Sequence, residues 1–144
     1  MAYATQENAT DRYGEEFILN VADRSHSASL EAPEVVDAIA EALDDATAEV
    51  DSHIGARYDL PLPETPKVLV RITVDIGVYR LASEAGVLSD EIRQRYEDAV
   101  ALLKRLAEGK ASLGLTTPAP STHAPKLVRN EPRVMTRGRL TGVV

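Results

Sequence analysis

The chain has 144 residues, a formal net charge of −7, 44% hydrophobic residues, five Tyr, one Phe, and neither Trp nor Cys. This length fits one domain with one ordinary hydrophobic core, and the missing cysteine excludes disulfides and thiolate chemistry. The apolar runs are only a few residues long, far short of a membrane span, and the first residues lack the basic start and apolar stretch of a signal peptide, so a soluble intracellular protein is expected.

Thr5 can cap a short helix over 6–13, with Gly14 as its stop. Residues 15–21 read as a further helical turn or two, and the small, polar residues 23–32 as a loop. Pro33 suits a first helical position, where its missing N–H costs nothing. From there Val36, Ile39, Ala40, Leu43, Ala46, Val50 and Ile54 recur at helical spacing, which predicts a long helix over about 33–57. Its remaining surface is acidic: Glu34, Asp37, Glu41, Asp44, Asp45, Glu49 and Asp51. Leu60-Pro61-Leu62-Pro63 cannot continue it, because each proline disfavours helix at the residue before it.

Pro66 opens a third long segment that runs to Ala85, with Gly86 at its end. Leu69, Ile72, Ile76 and Tyr79 form one stripe, and Val68, Val70, Val74 and Val78 add more apolar surface, so this helix is expected at the centre of the fold. Its Val and Ile content makes a strand over 67–74 the main competitor. Ser89 caps the last helix, with Asp90 and Glu91 in its first turn, Ile92, Tyr96, Ala99, Val100, Leu103 and Leu106 inward, and Gly109 as its stop. The expected fold class is all-α: a small bundle of three longer helices plus a short N-terminal helix pair over residues 1–113, followed by an extended C-terminal arm over 114–144. Within the arm, 114–125 reads as a proline-rich linker, and 126–128 and 133–136 as two possible short strands.

Charge is unevenly distributed. Residues 1–65 hold 15 acids and 3 bases, 66–109 hold 7 of each, and 110–144 hold 1 acid and 6 bases. An acidic front and a basic arm can attract copies of the chain or a partner. Lys126, Arg129, Arg133, Arg137 and Arg139 make the arm the candidate partner-binding segment, by strand addition onto a protein or by contact with phosphates. They lack the interleaved aromatics that stack on bases.

Catalytic patterns are missing from the sequence. His26, His53 and His123 stand singly, away from any ligand spacing; Ser25, His26 and Ser27 are neighbours in a loop, which is not the geometry of an activated nucleophile; and no glycine-rich phosphate loop occurs. Neither an enzyme nor a cofactor or metal site is expected. Asp75, in the middle of the most apolar helix, needs a partner, because a lone buried carboxylate is costly. Arg57, Arg71 and Arg80 are the candidates. Arg71, four residues earlier, offers a local pair, whereas Arg57 would explain the arginine in the turn that leaves the long helix.

That turn carries more information. Residues 50–62 fit the pattern V/I-D-S-x-I-x-x-R-Y-x-L-P-L, which places Asp51, Arg57, Tyr58 and Pro61 in a fixed order. Upstream stand Tyr3-Ala4-Thr5 and Asp11-Arg12-Tyr13-Gly14-Glu15-Glu16. Downstream follow Asp75-Ile76-Gly77-Val78-Tyr79-Arg80-Leu81, Arg95-Tyr96-Glu97-Asp98-Ala99-Val100 and Leu106-Ala107-Glu108-Gly109-Lys110. In this order and spacing, over residues 3–114, the chain resembles the Mu-like head–tail adaptors, neck proteins of tailed phages. The resemblance implies a virion protein, assembled in the host cytoplasm as a ring of typically twelve copies below the portal. Such a ring extends the DNA channel without reading its sequence and docks a neck or tail completion protein. It also implies structural or assembly roles for Asp51, Arg57, Tyr58, Pro61, Asp75 and Tyr79. The other readings open at this level are a small nucleic-acid-binding protein using the basic arm, and a bacterial helical interaction module.

Overall fold

The computed structural model of the chain describes residues 2–115. Its five helices are α1 (Gln6–Tyr13), α2 (Glu15–Ala22), α3 (Pro33–Ile54), α4 (Lys67–Glu84) and α5 (Asp90–Ala107). Among the described residues there is no strand, so the fold is all-α as expected. The arm residues Lys126, Arg129, Arg133, Arg137 and Arg139, and the strands expected around them, lie outside the described residues.

Local signals set most helix boundaries. Thr5 and Asn8 form a reciprocal capping box at the start of α1, and the Ser89 hydroxyl accepts the Ile92 amide at the start of α5. Gly14, at φ +88°, separates α1 from α2 in a conformation that a side chain would strain. Helix α3 ends at Ile54, three residues short of the expected 57. There the amides of Arg57 and Tyr58 both donate to the Ile54 carbonyl, at 2.9 and 3.0 Å, in a closing turn before the prolines. At the end of α5, Lys110 N–H reaches the Arg105 carbonyl at 2.8 Å and Gly109 N–H the Leu106 carbonyl at 3.1 Å. This is a Schellman closure, which needs the left-handed glycine.

Helices α3, α4 and α5 run up, down and up, with α1 and α2 closing one end. The first half of α3 and the second half of α4 enclose one core with α1, α2 and Ile92. The second half of α3, the first half of α4 and the rest of α5 enclose another, around Val50, Ile54, Leu69, Ile72, Ile76, Leu103 and Leu106. Helix α4 touches all four others and is buried without a break from Ile72 to Val78. A strand over 67–74 is thereby excluded: Val and Ile give up their β-preference to a site that buries every face of a helix. Gly77 allows the closest approach, since a Cβ there would lie 3.0 Å from Leu43 Cδ2 and 3.4 Å from the Ala42 carbonyl oxygen. On α3 the apolar stripe is rotated from the expected one. Val36 and Ala40 face outward, and Val35 and Ala42 are buried in their place.

Candidate functional site

Asp75 has its partner in neither of the long-helix turns. Its carboxylate receives Arg12 Nε at 2.7 Å and Nη2 at 3.0 Å, and the Tyr13 hydroxyl at 2.8 Å. The expected pairs with Arg57, Arg71 and Arg80 are therefore corrected. Arg71 is exposed, and its position N-terminal to the carboxylate is the poorer order for an i, i+4 pair. Arg80 turns to α3, where it meets Asp45 and Glu49. Arg57 lies beyond the end of α3, with its guanidinium where a Gly109 side chain would be. The Asp75 hydrogen bond raises Arg12 further. Burial, followed by the hydrogen bond and charge of Asp75, pushes the Tyr13 phenol up to about 12. The Arg95 guanidinium stands over the Tyr13 ring, 4.9 Å from its centre. The cluster joins α1, α4 and α5. Its carboxylate accepts three hydrogen bonds, two from Arg12 and one from Tyr13, and so clamps α1 to α4.

The other expected assembly residues fall into separate places. Asp51 accepts the Tyr3 hydroxyl, and Tyr3 N–H donates to Thr47 Oγ1 at 3.2 Å, so the N-terminal segment is tied to α3. Burial and then the Asp51 bond hold the Tyr3 phenol above its ordinary range. Tyr58 is buried, and its hydroxyl accepts the Leu113 amide at 3.1 Å. Arg57 and Tyr58 thus fix residues 109–113 against the α3 exit, while Pro61 is exposed beside them. Tyr79 stacks on Tyr96 with ring centres 4.1 Å apart and planes 12° from parallel. The Tyr96 hydroxyl donates to Glu49 at 3.2 Å, and Glu49 also receives Arg80 Nη2 at 2.8 Å.

Sequence reasoning therefore singled out Asp51 and Asp75 but not their donors Tyr3, Arg12 and Tyr13, and it paired Arg80 with Asp75 where Arg80 and Tyr96 instead meet at Glu49. The available signal for Arg12 and Tyr13 was a paired arginine and tyrosine at the end of a short helix whose only buried residue is Ala9.

A groove of about 910 Å³ opens along α2 and the 23–28 loop beside Phe17, Leu19, Asp23 and His26. In the adjoining loop the Ser25 hydroxyl donates to the Glu34 carboxylate at 2.9 Å. Among the described residues no three His, Cys, Asp or Glu side chains gather where they could hold a metal ion, and no helix is long and apolar enough to cross a membrane.

Fold and site together define an all-α bundle with an antiparallel three-helix body, a helix-pair cap and side-chain clamps between elements distant in sequence. The chain belongs to the Bacteriophage Mu Gp36 family, whose model matches residues 3–131. It is similar to the Mu-like prophage FluMu protein gp36 of Haemophilus influenzae, with 38% identity over 114 residues covering 79% of this chain and 77% of the relative. It is also similar to gene product J of Escherichia phage Mu, with 31% identity over 105 residues, 70% of this chain and 73% of the relative. It is a Mu-like phage protein.

Proposed function

We propose that this chain is a structural head–tail adaptor, without catalytic activity, in the neck of a tailed phage or a phage-derived particle. About twelve copies form a ring below the portal, extend the DNA channel and dock the next neck or tail protein. The observation that carries this reading is the family match over residues 3–131, which spans the whole helical bundle and continues into the basic segment. The site geometry supports it: polar side chains singled out by sequence serve as clamps that stiffen the helical bundle. The excess of 15 acids over 3 bases in residues 1–65 suits a wall along which DNA slides without sticking. The arm, with Lys126, Arg129, Arg133, Arg137 and Arg139, is the segment that reaches a neighbour in the neck.

Electron microscopy of the protein mixed with its cognate portal tests the reading. Rings of constant copy number seated on the portal are expected; a protein that stays monomeric and leaves the portal bare would refute it. The six bases against one acid in residues 110–144 favour a second reading, direct binding of DNA by the arm. Steeply salt-dependent retention of DNA by the full chain, abolished by neutralising those bases, would establish that reading instead.

A further inference from the structure

We propose that copies of this chain meet head to tail, the acidic outer face of α3 on one copy seated in an arginine-lined cleft on the next. The inference rests on the ring reading above and names the contact that makes the ring.

Residues 1–109 carry 22 acids and 10 bases, so two such bodies repel unless unlike patches face each other. The cleft supplies the positive patch. It is a small cavity of about 140 Å³ between α1, α4 and α5, lined by Arg12, Arg71, Asp75, Arg95 and Asp98. Asp75 is engaged by Arg12 and Tyr13, Asp98 accepts from Gln94 at 2.9 Å, and Arg95 is paired with Glu91 at 2.5 Å, so the unspent donors are those of Arg12 and Arg71. Guanidinium N–H groups outnumber those acceptors: Arg12 commits only Nε and Nη2 to Asp75, and Arg71 is exposed at the rim. Donors left over in a cleft take carboxylates, singly or in pairs.

The negative patch is on α3. Glu34, Asp37, Glu41 and Asp44 are all exposed and share one face at spacings of three and four. Among the described residues, no base forms an ion pair with any of the four.

The positions of the two patches argue for a ring. Gly77 of α4 faces Ala42 and Leu43 of α3. Asp75 lies two residues away, about 200° round the same helix and about 3 Å along it. The cleft is therefore on the far side of α4 from α3. Glu41 and Asp44 flank the Gly77 contact on α3 and point outward. Ridge and cleft thus lie at one height on opposite sides of the bundle. Bundles that join through different faces at one height make a heterologous contact that does not climb, and a constant turn at each contact closes such a row into a ring.

The test is sedimentation of the full-length protein, alone and with its cognate portal, at low and high salt. Arg71→Glu, and separately Glu41→Arg with Asp44→Arg, should each weaken self-association at least about tenfold. The triple variant should restore it, because the charges are exchanged. All three residues are exposed, and unchanged helical melts confirm the fold. If the wild type associates and the charge variants associate equally well, this contact is wrong and the ring reading survives. If removal of residues 116–144 dissociates the copies while the charge variants do not, the arm joins them and the proposal is overturned. A wild type that stays monomeric under every condition overturns both.

Discussion

Arg12 on α1 and Asp75 on α4, 63 residues apart, form a two-point ion pair at 2.7 and 3.0 Å that fastens the N-terminal helix pair to the centre of the bundle. Asp75 is almost wholly buried, whereas Arg12 keeps about a third of its side-chain surface in solvent. The pair is thus half-sheltered, and removing one partner leaves a buried charge with a single hydrogen bond from Tyr13. Arg12→Ala is expected to destabilise the protein by about 2–3 kcal/mol, below the range for a fully buried pair because water reaches the vacated side. Arg12→Lys should recover only part of that, since an ammonium cannot make the two-pronged contact. Urea denaturation of the three proteins measures both; a loss under about 0.5 kcal/mol for the alanine variant would remove the clamp from the account.

Tyr13 gives the clamp a signature in pH. Its phenol ionises in the folded protein near 12, above the ordinary value of 10.0, because burial and the Asp75 carboxylate oppose a second negative charge. A raised phenol means that the unfolded chain loses this proton first. The contribution of Tyr13 is therefore complete below pH 10, and it fades as pH rises from 10 towards 12. Phenolate absorbance of the folded protein should show late-titrating tyrosines, and Tyr13→Phe should remove one of them while leaving Tyr3 and Tyr96. The same variant should flatten the alkaline decline in stability.

Thr73 is fully buried on α4, and its hydroxyl has no hydrogen-bond partner among the described residues. Replacing it with the near-isosteric Val removes a desolvated polar group without opening a cavity, so Thr73→Val should be neutral or stabilising by up to about 1 kcal/mol. Gly77→Leu, one helical turn on, should cost about 3 kcal/mol or more, because Leu43 and the Ala42 carbonyl already occupy the space. Thermal melts that show opposite signs for the two variants are the expected result.

Ile76 is completely buried between α3 and α5, and Glu41 is exposed on α3. Ile76→Asp should unfold the chain or cost upwards of about 4 kcal/mol, while Glu41→Ala should stay within about 0.5 kcal/mol. Equal shifts in melting temperature would contradict the facing of both helices.

Removal of residues 116–144 should leave the bundle folded, since the apolar stripes of all three long helices lie before Gly109, and Leu113 and Leu115 still pack on the second core. Under the adaptor reading, the truncated protein should nevertheless fail to complement a particle producer that lacks this gene, yielding DNA-filled heads without tails. Full titres of tailed particles would show that the arm is dispensable.

The sequence alone determined the helices and their order. Caps at Thr5 and Ser89, prolines at 33, 61 and 66, and left-handed glycines at 14 and 109 act within a few residues, so their effect is visible in one dimension. The central place of α4 was equally legible, because a helix apolar on every face has nowhere else to go. Which arginine meets Asp75 was decided only by tertiary structure. Arg57, Arg71 and Arg80 were the candidates near enough in sequence or pattern to be named, and the partner is instead Arg12, which α1 delivers across 63 residues of chain. The rotation of α3 that turned Val36 outward and Val35 inward has the same origin. A stripe broad enough for two neighbours fixes its facing only when α4 and the N-terminal pair are both in place. The shared height of the Arg12–Arg71–Arg95 cleft and the Glu41–Asp44 ridge is likewise invisible in sequence, because it is set by where Gly77 lets two antiparallel helices touch.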